Sequence, residues 1–107
     1  MGTILKASLM VSALSLVFSS AYTFASLGAD TFKARCAPCH GATGKGDTKM
    51  GQHLRVRDLG SADVQKLSED ELETIIAKGK GKMPAYERKL SKQQIDDLVK
   101  FIRSLKR

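Results

Sequence analysis

The stretch RCAPCHGATGKG, residues 35–46, contains both cysteines of the chain and one of its two histidines. On a helical turn Cys36 and Cys39 project from one side, and His40 lies four residues from Cys36. Two thiols and an imidazole therefore converge on one region of space. This arrangement is compatible with a redox disulfide, part of a zinc site, or the attachment of a haem.

The residues around the motif distinguish these three kinds of site. A thioredoxin-type pair needs a βαβ context, and no stretch of the chain alternates apolar and polar residues as a strand does. Zinc needs four ligands, and the second histidine, His53, lies in a glycine-rich loop at the wrong spacing for a zinc finger. C-x-x-C-H is the attachment signature of haem c. We therefore predict that Cys36 and Cys39 form thioethers to one covalent haem c, whose iron His40 binds.

The first 25 residues have the order of a secretory signal peptide. Lys6 precedes an apolar run from Ala7 to Phe18, and small residues precede Ala25. We predict a leader over 1–25, cleaved after Ala25 or alternatively after Ala21, and one domain over 26–107. The competing interpretation is an uncleaved anchor, because residues 7–29 carry no charge and could span a bilayer. Both interpretations predict export, to the periplasm or an equivalent compartment.

Charge and size restrict the partners and the core. The chain carries 18 Lys and Arg against 11 Asp and Glu. An exported basic protein rarely meets nucleic acid, so we expect acidic redox proteins as partners, with transient contact to an anionic membrane. The 82 residues after the leader have few aromatics and bury a small core, so a bound cofactor is expected to complete it.

Three helical segments predict an all-α fold of three or more short helices around one haem. The first covers about Leu27 to Ala37. The second begins after Ser68, with Glu71 completing a capping box, and ends at Gly79. The third begins after Ser91, with Gln94 as the capping partner, and carries an apolar stripe of Ile95, Leu98, Val99, Ile102 and Leu105, with Phe101 at its edge. The 27-residue connection Gly41–Leu67 is unusually long, which suggests that it wraps around the cofactor.

An iron bound by His40 has a second axial position to fill. The candidates outside the leader are Met50, His53 and Met83. Met83 lies in GKGKMPAY, after a helix-ending glycine and before a proline that favours an extended backbone. That position suits an inward-pointing thioether, so we predict Met83 as the second iron ligand. A thioether opposite an imidazole raises the reduction potential relative to two imidazoles.

Four spaced motifs resemble the class I c-type cytochromes, the small monohaem proteins of bacteria and photosynthetic organisms. The motifs are GADTF at 28–32, CAPCH with the following GATGKG, KMPAY at 82–86, and LVKFIRSL at 98–105. The resemblance implies that Gly28 and Phe32 pack near Phe101, and that His40 and Met83 are the axial ligands. The family often has a proline shortly after the haem motif whose carbonyl steadies the histidine. This chain has none there, so the group that orients His40 stays open.

The resulting expectation is a monomeric one-electron carrier outside the cytoplasm, and not an enzyme. Lys78, Lys80 and Lys82 flank Met83, with Arg88 and Lys89 beyond, and could steer acidic partners. Alternatively these charges only complement a helix dipole. Two other functions stay open: a haem-bearing subunit tethered to a larger membrane complex, and a gas-binding or catalytic haem protein with an open sixth position.

Overall fold

The computed structural model describes Gly2, Thr3, Ala13, Ser15 and residues 24–107. Within these residues it contains helices and no strand, which confirms the predicted all-α fold. The helices are α1 (Phe24–Arg35), α2 (Ala37–His40), α3 (Lys49–Leu54), α4 (Ala62–Gln65), α5 (Glu69–Lys78) and α6 (Lys92–Ser104).

Both predicted capping boxes form. The Ser68 hydroxyl accepts from the Glu71 amide at 3.1 Å, and the Glu71 carboxylate accepts from the Ser68 amide at 2.7 Å. Ser91 and Gln94 make the same reciprocal pair at the start of α6. These pairs satisfy amides that have no partner inside the helix, and so they fix where α5 and α6 begin.

Helices α1 and α6 cross closely and form the centre of the core. A Cβ at Gly28 would lie 2.3 Å from the carbonyl oxygen of Asp97, so the two backbones meet where α1 has no side chain. The rings of Phe32 and Phe101 pack with their centroids 4.8 Å apart. Leu98 is only 1% exposed. The predicted packing of Gly28 and Phe32 against the last helix is therefore present.

The long connection after the haem motif contains two short helices that the sequence did not predict. Helix α3 begins after Thr48, whose hydroxyl accepts from the Gly51 amide at 2.8 Å. Helix α4 begins after Ser61 and is a single turn of four residues. Helices this short show too few apolar repeats for a helical period to be recognised.

The amino-terminal segment departs from the prediction in one detail. Helix α1 begins at Phe24, three residues before the predicted start at Leu27. The predicted leader lies almost wholly outside the described residues, so its cleavage stays a prediction. Among the described residues, no helix has the length and apolar character needed to cross a membrane.

Candidate functional site

One cavity of about 330 Å³ lies between α2, α5, α6 and the connection that includes α4. Apolar side chains form most of its lining, among them Leu59, Val64, Leu67, Leu72, Ile76 and Leu98. Cys36, Cys39, His40 and Met83 line the same cavity. The four residues that the sequence singled out thus converge on one apolar space, although 43 positions separate His40 from Met83.

Helix α2 places the two thiols and the imidazole. Cys36 precedes α2, and its carbonyl accepts from the amides of Cys39 and His40 at 3.2 and 2.9 Å. Helix α3 supports this turn, because the Thr48 hydroxyl donates to the Cys39 carbonyl at 3.0 Å. Both thiols are free and half-buried. Burial, with a smaller contribution from Cys39, raises the pKa of Cys36 to about 11, so its thiol is protonated at neutral pH.

The His40 ring is held in apolar surroundings. Its centroid lies 6.3 Å from that of Phe32, and burial lowers its pKa below the ordinary value of 6.5. The imidazole is therefore neutral at pH 7, the form that binds a metal. Its Nδ1 atom is buried and has no hydrogen-bond partner among the described residues. No backbone carbonyl of the described residues therefore accepts from this ring nitrogen of His40, as the proline carbonyl does in the class I c-type cytochromes that the sequence resembles.

The backbone of Met83 is fixed by its neighbours. Lys80 and Met83 exchange two backbone hydrogen bonds, of 3.1 and 2.9 Å, around the turn at Gly81 and Lys82. Beyond the methionine, the Tyr86 amide donates to the Ile76 carbonyl at 3.1 Å. Met83 is therefore tied to the carboxyl end of α5 on both sides, and its half-buried side chain lies at the cavity.

The alternative ligands lie elsewhere. Met50 and His53 are both on α3, both are exposed, and neither lines the cavity. Among the described residues, no group of three or more His, Cys, Asp or Glu side chains is placed to hold a metal ion. The zinc interpretation of the cysteine motif therefore has no complete ligand set in this part of the chain.

The predicted lysine patch is rearranged by the fold. Lys80 and Lys82 line the cavity, but Lys78 pairs with Glu87 at 2.8 Å. Lys89 lies over the ring of Tyr86, 5.6 Å from its centroid. Only part of the predicted ring therefore faces the site.

Three arginines that sequence reasoning missed also line the cavity, namely Arg35, Arg55 and Arg57. All three are exposed, and within the described part of the chain no carboxylate side chain lines the cavity with them. No local pattern in the sequence indicated these arginines, because Arg55 ends α3 in a left-handed conformation and Arg35 comes from a distant segment. We call Arg35, Arg55, Arg57, Lys80 and Lys82 the basic mouth.

The residues at the cavity fit a haem c. Two free thiols suit thioether formation, and the apolar lining suits a porphyrin. The neutral His40 imidazole and the Met83 thioether are donors that haem iron accepts.

Comparisons with known proteins point to the same cofactor. The family model described as "Cytochrome C oxidase, cbb3-type, subunit III" matches residues 24–102. Cytochrome c6 of Nostoc sp. is 36% identical over 78 residues, which are 70% of this chain and 65% of that protein. Cytochrome c-555 of Methylococcus capsulatus is 34% identical over 70 residues, 64% of this chain and 51% of that protein. The chain thus spans between half and two thirds of the length of these relatives.

A solved structure extends the likeness to the fold. The KustC0563 c-type cytochrome superposes with a TM-score of 0.70 at 28% identity, over 75% of this chain and 98% of that one. The match to the family model covers most of the chain and includes the whole cavity. The chain therefore belongs to this family of small class I c-type cytochromes, and its cofactor is a covalently bound haem c with its iron.

Proposed function

We propose that the protein is an exported one-electron carrier whose haem c has His40 and Met83 as axial ligands. The convergence of Cys36, Cys39, His40 and Met83 on one apolar cavity carries this proposal. Cys36 and Cys39 would hold the porphyrin by thioethers, and His40 and Met83 would bind its iron. Haem iron in this setting supplies a reversible one-electron couple.

The protein surroundings favour electron transfer over catalysis. Two protein ligands leave no iron position for a substrate. The mostly apolar lining limits the water that must reorganise when the charge changes. Met83 is held on both sides by backbone bonds, so it needs little movement between the oxidation states. A gas-binding or catalytic role would require Met83 not to bind the iron.

The basic mouth supports acidic redox proteins as partners. Five cations line the cavity, and no carboxylate of the described residues lines it with them, so the local potential would attract an acidic surface to this cavity. This surface shares Lys80 and Lys82 with the lysine patch expected from the sequence, whereas Lys78 pairs with Glu87. Electrostatic attraction of this kind raises association rates and weakens with added salt.

One experiment tests the carrier function directly. The protein is produced in a host with haem-attachment machinery, and carbon monoxide is mixed with the reduced form at neutral pH. A carrier with both axial positions filled binds carbon monoxide slowly or not at all, and its ferric form shows a sulfur-to-iron charge-transfer band. Rapid carbon monoxide binding without that band contradicts the proposal and favours the gas-binding function.

The family description gives reason to keep a second candidate, a haem subunit tethered to a membrane redox complex. It differs from the free carrier in the fate of the leader. Amino-terminal sequencing of the protein recovered from its native host separates the two: a start at Ser26 or Tyr22 supports a cleaved, exported carrier. A retained residue 1 supports the tethered subunit.

A further inference from the structure

One wall of the haem cavity is formed by a segment that is too short of regular structure to be stable by itself. Residues 58–67, here called the wall segment, contribute Leu59, Val64 and Leu67 to the cavity lining. The only helix in the wall segment is α4, and a helix of four residues is not stable by itself in water. Val64 is nevertheless only 2% exposed. Contacts from another part of the chain must therefore fix this wall.

Arg103, near the end of α6, supplies the first of these contacts. Its guanidinium donates to the Gln65 carbonyl at 2.8 Å and also to the Leu67 carbonyl. These carbonyls lie at and just beyond the end of α4, where a helix has no donors of its own to offer. A planar guanidinium serves both at once, and its charge strengthens each bond.

Gln65, in the wall segment, in turn bonds to the backbone of α6 through its side chain. Its side-chain amide donates to the Leu59 carbonyl at 2.8 Å and to the Ile102 carbonyl of α6 at 2.9 Å. One side chain from each partner thus bonds to the other's backbone, with Ile102 itself lining the cavity. The two residues form a closed polar link between α6 and the wall segment, which we call the clasp.

Arg107 extends the link to the start of the wall segment. Its amide donates to the Gly60 carbonyl at 3.1 Å, and its guanidinium contacts the Asp58 carboxylate. A Cβ at Gly60 would lie 2.4 Å from the Leu105 carbonyl oxygen, so the two segments are in direct backbone contact here. The carboxyl end of α6 and the residues after it therefore follow the wall segment along its length.

We propose that Arg103 is a positioning residue for the haem: through the clasp it keeps the wall segment closed against water and thereby raises the reduction potential. Water admitted beside a haem stabilises the more highly charged ferric form and lowers the potential. Arg103 is not itself a lining residue of the cavity, so it acts through Gln65 and Leu67. The inference rests on the haem site proposed above, but it concerns a different residue and a different measurement.

The test compares Arg103→Met with Lys106→Met in the haem-loaded protein. Both variants remove one positive charge near the end of the chain, but the Lys106 side chain makes no bond to the wall segment. Hydrogen exchange is followed at the amides of Leu59, Gln65 and Leu67 in the wall segment, which donate to the carbonyls of Gly44, Ser61 and Val64 respectively. Losing a hydrogen bond to a charged group predicts exchange at these amides that is faster by about tenfold in Arg103→Met. The reduction potential is expected to fall below that of Lys106→Met.

Equal exchange rates and equal potentials in the two variants would overturn the proposal. Arg103→Lys should fall between wild type and Arg103→Met, because an ammonium reaches one carbonyl well and not both. If Arg103→Met does not accumulate with haem, proton exchange of the Arg103 guanidinium is measured in the unmodified holoprotein instead. The proposal predicts slow exchange of these protons, and rapid exchange contradicts it. A wild-type protein without the sulfur-to-iron band counts against Met83 ligation, whereas the amide exchange tests the clasp independently.

Discussion

At the scale of single residues, Met83 is held by backbone contacts that do not involve its sulfur. Its paired bonds with Lys80 and the following bond from Tyr86 to α5 fix where the side chain starts. A thioether placed this way is available to iron without reordering the loop, which reduces the entropy lost when the ligand bond forms. The thioether of Met83 and the backbone that holds this residue can therefore be tested by separate substitutions.

Replacing Met83 should leave one coordination position of the iron without a protein ligand. In Met83→Ala we expect the charge-transfer band to vanish, the potential to fall, and carbon monoxide to bind the reduced protein rapidly, because the thioether that favours ferrous iron is gone. Met50→Ala is the matched control, since Met50 is 51% exposed and lies outside the cavity. Optical spectra and stopped-flow mixing measure the outcome. A Met83→Ala protein that keeps the band would mean that another residue binds the iron.

Distorting the backbone that holds Met83 should weaken the bond between its sulfur and the iron without removing the ligand. Gly79 has φ 76° and ψ 172°, a region that only glycine adopts readily, and a Cβ there would lie 2.5 Å from the Met83 carbonyl oxygen. We expect Gly79→Ala to lower the free energy of unfolding by about 1–3 kcal/mol and to weaken the charge-transfer band.

Gly81→Ala is the control for this substitution. Gly81 also has a positive φ, but no atom lies within 4 Å of the added Cβ. The backbone penalty alone should cost about 1 kcal/mol and leave the band intact. Denaturant titration followed by haem absorbance measures both variants. Equal effects at the two glycines would show that contact with Met83 is unimportant.

At the scale of elements, the crossing of α1 and α6 determines whether the cavity can form, since Phe32 and Leu98 belong both to this crossing and to the cavity lining. Gly28→Ala forces the helices apart at the Asp97 carbonyl. We expect it to destabilise the protein by about 1–3 kcal/mol, the usual cost of overpacking a core.

The control for Gly28→Ala is Ala34→Ser, an exposed position on the same helix. Thermal unfolding of the haem-loaded proteins measures the difference. A Gly28→Ala protein as stable as Ala34→Ser would contradict the close crossing of α1 and α6.

Predictability from the sequence also differs between elements. Helices α5 and α6 could be predicted because each has a capping pair and an apolar period that agree with each other. Helices α3 and α4 could not, because each is shorter than two turns, and α4 is also held by Arg103 from far along the chain. Local signals predict an element only where local interactions stabilise it.

At the scale of the whole molecule, charge is distributed by the fold and not by sequence proximity. Lys78, Lys80 and Lys82 are neighbours in sequence, yet only the last two line the cavity, and Arg35, Arg55 and Arg57 join them from distant segments. The same reason explains which parts of the site the sequence revealed. The cysteine motif and Met83 have local signatures, whereas the basic mouth and the clasp arise only when separate segments meet.

Neutralising the basic mouth should slow association with an acidic redox partner. We expect a variant with Arg55→Gln, Arg57→Gln, Lys80→Gln and Lys82→Gln to react about tenfold or more slowly at low salt, with a flatter dependence on ionic strength. The control changes four exposed cations outside the cavity lining, Lys33, Lys49, Lys66 and Lys106. Stopped-flow electron transfer measures both. Similar rates in the two variants would exclude docking through the mouth.

The proton NMR spectrum of the reduced protein is the most direct measurement of the central claim, which is that His40 and Met83 enclose one haem in this cavity. A methionine bound to haem iron lies over the porphyrin, whose ring current moves its methyl and methylene signals strongly upfield. We expect one such methionine, and sequential assignment to place it at Met83. An upfield methionine assigned to Met50, or a spectrum with no shifted methionine signals, would contradict the proposed site.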